Sequence, residues 1–514
     1  MDELFIDEFK KRLNDIHGES DVWRLKREVA SKLKLSRMPK NGEILEELQL
    51  DERLSSILKM KPTRQLSGVS VVSVMTKPYP CPQGTCIFCP GGVKMNTPQS
   101  YTGHEPAAMR AAMNNYDPYL QVQARLKHYL FLGYRPEKIE VIVMGGTFTA
   151  LPKDYRDNFV TEIYRALNDF PKVSDEKRSL EEEKKINETA SHRCVTFTVE
   201  TKPERCKGGD IKELLDYGVT RVEIGVQSIY NEVLIKNNRG HTIEDAINAT
   251  KLLKDNAFKV GYHIMLNLPF SDVDKDKETI RSIYEDERFK PDTLKIYPTL
   301  VIKGTALYKM WEAGQYKSYP LDDIIGLIEY AESTAPPWLR IMRIERDIPS
   351  TFVEGGVKIT NLRQKVLEKM DKENKKATDI RSREVGRVKM IRKPDIVENR
   401  INYRASGGDE IFLSIDDKSN DAIIGLLRLR IADGAKEGLV RELHVYGLQN
   451  PLSEEIEGAF QHHGFGKQLL SRAEEITRNE YSLRKIKVIS GVGAREYYRK
   501  LNYKFEDPYM VKEL

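Results

Sequence analysis

From about residue 68 to residue 335, short β-branched runs alternate with longer stretches of helical periodicity, and this alternation restricts the fold more than any other feature. The runs at 68–75, 139–144, 194–199, 220–226, 259–266 and 292–297 are rich in Val and Ile and too short for helices. Between them, 120–132, 154–167, 211–217, 242–256 and 276–285 carry apolar residues at helical spacing. A strand that returns through a helix lies parallel to its predecessor, so the segment predicts six parallel strands in an open, partial (β/α)6 barrel of the α/β class. In such folds reactive groups gather at the carboxyl ends of the strands. The stretch 171–190, rich in lysine and glutamate, shows no core face and reads as a mobile insertion.

Directly after the first run stands KPYPCPQGTCIFCPGG, where Cys81, Cys86 and Cys89 place three thiols in nine residues of a 514-residue chain that has only five cysteines. Thiolates are soft ligands suited to iron–sulfur clusters, and three on one loop leave one iron of a four-iron cluster free for a small molecule. The string resembles the cluster loop of radical-SAM enzymes, with four residues in its first gap, Pro82 to Thr85, where three is the commonest spacing. That resemblance implies a [4Fe-4S] cluster and S-adenosylmethionine. A structural zinc knuckle, with His104 as the nearest histidine, and a chance group of buried thiols stand as alternatives. With Cys194 and Cys206 apart from the loop, the odd thiol count does not read as a disulfide framework and fits a reducing, cytoplasmic compartment.

Other strand ends carry residues that such a site needs. Gly145, Gly146 and Thr147 follow the second run, and glycines there let backbone carbonyls approach a methionine ammonium group. Glu200 ends the third run, suited to accept hydrogen bonds from ribose hydroxyls, and Gln227 ends the fourth, suited to a nucleoside or substrate. Each also reads as an ordinary loop residue; their shared position favours a cofactor site.

After residue 390 the pattern changes to alternating strands at 410–415, 422–431 and 439–445. A helix then begins at Gln461-His462-His463-Gly464-Phe465-Gly466-Lys467, followed by a strand at 485–489 and a helix at 494–501. This predicts a separate α+β domain. Its Gln-x-x-Gly-x-Gly resembles the pyrophosphate loop of GNAT-type acetyltransferases, where amides at a helix N-terminus hold the anionic pyrophosphate of coenzyme A. Tyr497 and Tyr498 on the following helix match the place of the tyrosine that serves the departing thiolate in that fold.

Net charge is only +5, from 83 basic against 78 acidic residues, so distribution matters more than the total. Basic residues crowd 24–40, where Leu25, Val29 and Leu33 stand at helical spacing, and again 363–393. Two such patches predict a polyanionic partner. No run of about 18 uncharged apolar residues and no signal peptide is found, so no membrane contact is expected.

A cluster loop and an acetyltransferase pattern in one chain are a rare pairing. With the strings SGVSVVSVMTKPYPCP, SYTGHEP, VMGGTFTALP, RVEIGVQS, LKIYPTLVIKGT, REVG, RELHVYG and SGVGAREYYRKLNY, residues 62–514 closely resemble the Elongator catalytic-subunit family, in the single-chain form found in archaea. The resemblance implies four parts: a basic helical tRNA-binding segment at 1–61, a radical-SAM barrel at 62–340, a linker at 341–393 and a GNAT-type domain at 394–514. It implies an enzyme that forms 5-carboxymethyluridine at the wobble position of tRNA, taking the anticodon stem-loop and acetyl-CoA as substrates and an electron from a donor. The radical made from S-adenosylmethionine would take hydrogen from the acetyl methyl, whose carbon would then add to C5 of the pyrimidine. By the same resemblance Cys81, Cys86 and Cys89 ligate the cluster, while Lys138, Glu442, Leu443, His444, Val445, Gln461, Gly464, Phe465, Gly466, Lys467 and Tyr497 serve acetyl-CoA. Ala377 stands where relatives have a linker cysteine, and Leu266 and Asn267 also depart from the family pattern. A protein lysine acetyltransferase with a structural cluster is the competing function, and dimerisation stays open.

Overall fold

The computed structural model describes residues 3–35, 37–48, 57–58, 68–388, 391–446 and 464–514. The predicted strands form as β1 Val69–Met75, β2 Lys138–Met144, β3 Arg193–Thr201, β4 Arg221–Gln227, β5 Lys259–Leu266 and β6 Thr293–Pro298, all parallel and in sequence order. A seventh parallel strand, Arg340–Arg343, extends the sheet beyond β6. With four residues and two terminal arginines, it carries too little apolar pattern to be read from sequence.

The sheet's outer face is apolar and its inner face is not. On β4, Val222, Ile224 and Val226 join the main core with Phe159, Ile163 and Leu253 of the surrounding helices, whereas Arg221, Glu223 and Gln227 alternate to the other side and are buried as well. The barrel lumen is therefore polar.

The stretch 171–190, expected to be a mobile insertion, contains a helix, Leu180–Asn187, that is anchored to its surroundings. Ser179 and Glu182 form a capping box at its start. Asn187 accepts the Cys194 amide (2.8 Å), and Glu188 pairs with Arg495 (3.1 Å) and Arg499 (2.8 Å) of the C-terminal domain. Its anchoring contacts are polar, so apolar periodicity gave no sign of them.

The C-terminal domain is a mixed sheet in the order Ile396–Arg404, Gly408–Asp417, Ala422–Ala432, Gly438–Val445, Lys485–Val488, Tyr509–Glu513, Lys504–Glu506, packed on helix Phe465–Asn479. It docks on the amino-terminal rim of the barrel through buried charge. Arg441, with no exposed surface, donates to Asp292 before β6 (2.7 Å to each oxygen), to Glu410 (2.6 Å) and to the Phe258 carbonyl. Lys259 at the start of β5 pairs with Glu442, and Arg430 with Asp255 (2.5 Å).

The N-terminal helices Glu3–Lys11, Glu19–Lys32 and Asn41–Glu47 enclose a core of their own around Phe5, Phe9, Leu25, Val29 and Ile44. Three of the seven basic residues at 24–40 are answered by acids, Arg24 by Asp21, Lys32 by Glu8 and Arg37 by Glu43, and Lys26 is buried against Asn41. Part of the second basic stretch is paired likewise, Arg363 with Glu332, Lys369 and Lys375 with Glu329, and Arg387 with Glu384. Glu8, Glu329 and Glu332 lie 24 or more residues from their partners, beyond the reach of counting within a stretch. Among the described residues no helix is long and apolar enough to cross a membrane.

Candidate functional site

The loop after β1 brings the three thiols to the carboxyl mouth of the barrel. Turns at Gly84 to Cys81 (3.0 Å) and Cys89 to Cys86 (3.0 Å) fold it back on itself. Donors address each sulfur: the Ser100 amide reaches Cys89 Sγ at 3.1 Å, Arg239 Nη1 reaches Cys86 Sγ at 3.4 Å, and Thr147 Oγ1 stands 3.9 Å from Cys81 Sγ. Burial pushes the Cys81 thiol up and the Cys89 thiol up to about 11, while Lys202 and Arg239 pull Cys81 the other way. Three clustered soft donors facing amides and cations match the negative charge of a thiolate-bound iron–sulfur centre, so the residues fit a cluster. Cys194 and Cys206 are buried elsewhere, in the barrel's outer core.

The neighbouring strand ends close around this loop. Gly145 and Gly146 both have positive φ, +123° and +107°, and a Cβ at Gly145 would collide with Thr76 Oγ1. Gln227 also has positive φ (69°), is buried, and its Oε1 has no hydrogen-bond partner. A buried, unpaired amide oxygen in a strained conformation marks a place where a guest completes the bonding. Asn267 has a plainer role: its Oδ1 accepts from Tyr316 and from the Tyr319 amide (both 2.8 Å), fixing the turn after β5.

Glu200 is not the free acceptor expected. Its oxygens take hydrogen bonds from Tyr101 (3.2 Å) and Lys295 (3.1 Å). Lys295 also donates to Glu223, which accepts from His263 (2.9 Å) and pairs with Arg221 (3.3 Å), itself 2.8 Å from Glu140. Burial alone would raise the Glu223 carboxyl, but Lys295 and Arg221 hold it well below the usual range. Glu200, Glu223 and His263 bring ligand atoms within 4.8 Å of one another, yet the Lys295 ammonium already supplies the cation they would bind. Sequence reading missed this network because its members come one or two per strand, and only closure of the barrel gathers them.

The acetyl-CoA candidates gather at the opposite end. Strand Gly438–Val445 pairs with Lys485–Val488 only through Gly438, Leu439 and Val440, after which the two part. Beyond the split, Glu442 and His444 pair only with the other neighbour, through Arg428 and Leu426. The Glu442 side chain is committed: Lys259 and Arg428 (2.8 Å) take its oxygens, overcome its burial and hold its carboxyl down at about 2. Burial pulls the His444 imidazole below its ordinary pKa; the ring lies beside Tyr446 (4.3 Å), with Nε2 lacking a hydrogen-bond partner. Leu443 packs against the core, and Val445 lies near Gly466.

Gly464, with φ of 80°, starts helix Phe465–Asn479, leaving Lys467 exposed in its first turn. A Cβ on Gly466 would lie 2.8 Å from the Tyr497 hydroxyl, so that hydroxyl stands over the helix start. Tyr497 is 42% exposed, and burial raises its hydroxyl above the ordinary value. Tyr498, expected beside it, is instead a core residue packed between Tyr497 and Tyr503. Gln461 lies outside the described residues. Lys138 starts β2 next to Arg193, against which Gly493 packs, so it belongs to the amino rim with this second group and not with the thiols. With 7 residues in β2, the two ends of the lumen stand roughly 20 Å apart.

Comparison with known proteins matches the ELP3 N-terminal domain over residues 6–66, the Radical SAM superfamily over 78–283 and the Radical_SAM C-terminal domain over 291–372. A tRNA uridine(34) acetyltransferase of Methanocaldococcus jannaschii is 47% identical over 538 residues, spanning 100% of this chain and 97% of that protein. Elongator complex protein 3 of Homo sapiens is 41% identical, spanning 99% and 97%. Among solved structures, Methanocaldococcus infernus Elp3 lacking residues 1–46 superposes with a TM-score of 0.76 at 44% identity, covering 87% of this chain and all of that one.

Proposed function

Because the chain belongs to the Elongator complex protein 3 family, we propose that it is a tRNA-modifying enzyme that builds a 5-carboxymethyl group on the wobble uridine from acetyl-CoA. The observation that carries this reading is the rigid joining of two sites: a three-thiol loop at one mouth of the barrel and a split strand with Tyr497 at the other, locked by the buried Arg441–Asp292–Glu410 contacts. Joining an acetyl methyl to a pyrimidine C5 does not suit acid–base chemistry, since the deprotonated thioester methyl and C5 are both nucleophilic carbons. When bound, the cluster and S-adenosylmethionine supply the one-electron chemistry that opens the methyl C–H bond.

The chain's own residues set the conditions. Cys81, Cys86 and Cys89 hold the cluster, and Arg239 and the Ser100 amide balance its charge. Gly145, Gly146 and Thr147 line the mouth for S-adenosylmethionine, with the unpaired Gln227 oxygen as a further anchor. Glu200, with one hydrogen bond on each oxygen from Tyr101 and Lys295, keeps acceptor capacity for a ribose hydroxyl. At the other end, amides of the helix starting at Phe465 receive pyrophosphate, the split strand pairs with pantetheine, Lys138 adds a cation, and the Tyr497 hydroxyl serves the thiolate.

A lysine acetyltransferase gains no support here: Glu442, the carboxylate on the split strand, is held by Lys259 and Arg428 down at about 2 and is a poor base for an amine. Anaerobic incubation with tRNA, acetyl-CoA, S-adenosylmethionine and a reductant, followed by mass spectrometry of nucleosides, tests the reading. Carboxymethyluridine is expected from the intact chain and not from Cys86→Ala; modification that persists in Cys86→Ala would refute it.

A further inference from the structure

Two rings that the reaction does not use stand at the carboxyl mouth of the barrel. His104 and Phe352 stack with centroids 3.9 Å and planes 14° apart. His104 belongs to the loop that follows the thiols, and Phe352 to the turn Ser350–Phe352 beyond the seventh strand. Both loops are tied down. Glu105, 4% exposed, accepts the amides of Thr102 (3.0 Å) and Gly103 (3.1 Å); Arg346 donates to the Ser100 carbonyl, and the Ser100 amide donates to Cys89 Sγ. The stack is thus fixed relative to the thiol loop.

Both rings nevertheless face solvent, Phe352 at 38% exposure. Large aromatic surface left open on a rigid backbone beside a reaction mouth is informative in a way that a scattered exposed side chain is not. Lys358, which lines the same crevice as Arg346, is exposed and has no ion-pair partner among the described residues. A flat partner with an adjacent negative charge fits these three side chains.

We propose that His104 and Phe352 form a stacking platform for the nucleotide next to the one drawn into the barrel, with Lys358 meeting its phosphate. This rests on the tRNA reading above. Drawing one base out of a loop leaves its neighbour with a bare face, and an aromatic ring replaces the lost stacking whatever that neighbour's identity. The platform would hold the loop open while the target base occupies the mouth.

The test measures binding of a fluorescent anticodon stem-loop to the full chain at several salt concentrations. His104→Ala with Phe352→Ala is expected to weaken binding roughly tenfold or more with an unchanged salt slope, whereas Lys358→Ala lowers that slope by about 1. The ring-retaining pair His104→Tyr with Phe352→Tyr binds like the wild type, and 2-aminopurine beside the target loses its fluorescence change only in the alanine pair. Wild-type affinity in the alanine pair would overturn the platform while leaving the tRNA reading intact. Loss of reconstituted cluster absorbance in the alanine pair would assign the rings to holding the loop and also overturn it. Failure of the wild type to bind the stem-loop would overturn the tRNA reading and the platform together.

Discussion

Replacing Arg441 by methionine keeps most of the side-chain volume and removes the guanidinium from the centre of the domain interface. Asp292 would then retain Arg428 at 3.6 Å and the Val260 amide at 2.8 Å, and Glu410 would retain Arg430 at 3.0 Å and Lys254 at 3.6 Å. Breaking a buried pair by removing one partner costs about 3–5 kcal/mol, and these remaining cations place the change at the lower end, about 3 kcal/mol. Adding Asp292→Asn removes the stranded charge while keeping an acceptor for the Val260 amide, so part of the loss returns. Trp338, buried and stacked on Tyr403 of the C-terminal domain at 4.4 Å, reports the interface by fluorescence. In urea, Arg441→Met should lose the Trp338 signal before its helical circular dichroism, whereas the wild type loses both together. A stability within about 1 kcal/mol of the wild type, the range of a solvent-screened ion pair, would refute the view that this contact joins the two sites into one body.

Cys86→Ser should abolish the cluster's visible absorbance after anaerobic reconstitution while leaving stem-loop binding in place, because the loop is held by backbone turns independent of that sulfur; equal loss of RNA affinity would contradict it. Tyr497→Phe should fold normally, the residue being 42% exposed, and lower tRNA-stimulated acetyl-CoA hydrolysis at least tenfold, on the order of one lost catalytic hydrogen bond; an unchanged thioester assay would remove Tyr497 from the chemistry. Glu442, held at about 2 in the fold, binds fewer protons folded than unfolded, so its stabilisation of about 3 kcal/mol is present above pH 4.5 and lost as pH falls toward 2. Urea midpoints between pH 5 and pH 2.5 should therefore fall less steeply in Glu442→Gln than in the wild type.

Local chemistry made part of this protein legible. The six long strands follow from β-branched runs between helical periods, and the thiol loop is visible because three soft ligands in nine residues have few other uses. The Gly464–Gly466 pattern stands out in the sequence because glycines at a helix start let the backbone approach closely, whereas Tyr497 was singled out only by resemblance to a known fold. Sequence spacing did not separate Tyr497 from Tyr498: which of two adjacent rings stays exposed depends on what packs beneath them, here Tyr503.

The pairing of charges was not legible in the sequence. Basic stretches that look like polyanion surfaces are answered in part by Glu8, Glu329 and Glu332, which are distant along the chain. The lumen network of Glu140, Glu200, Arg221, Glu223, His263 and Lys295 draws its members from five strands, and Arg441 meets Asp292 across a gap of 149 residues. Composition and periodicity decide which segments become strands and which side of each is apolar, since those depend on neighbours a few residues away. Which ionised groups neutralise each other, and hence where the two reactive ends lie and which cations stay free, is decided only when the barrel closes and the second domain seats on its rim, because buried charge is tolerated only beside its partner.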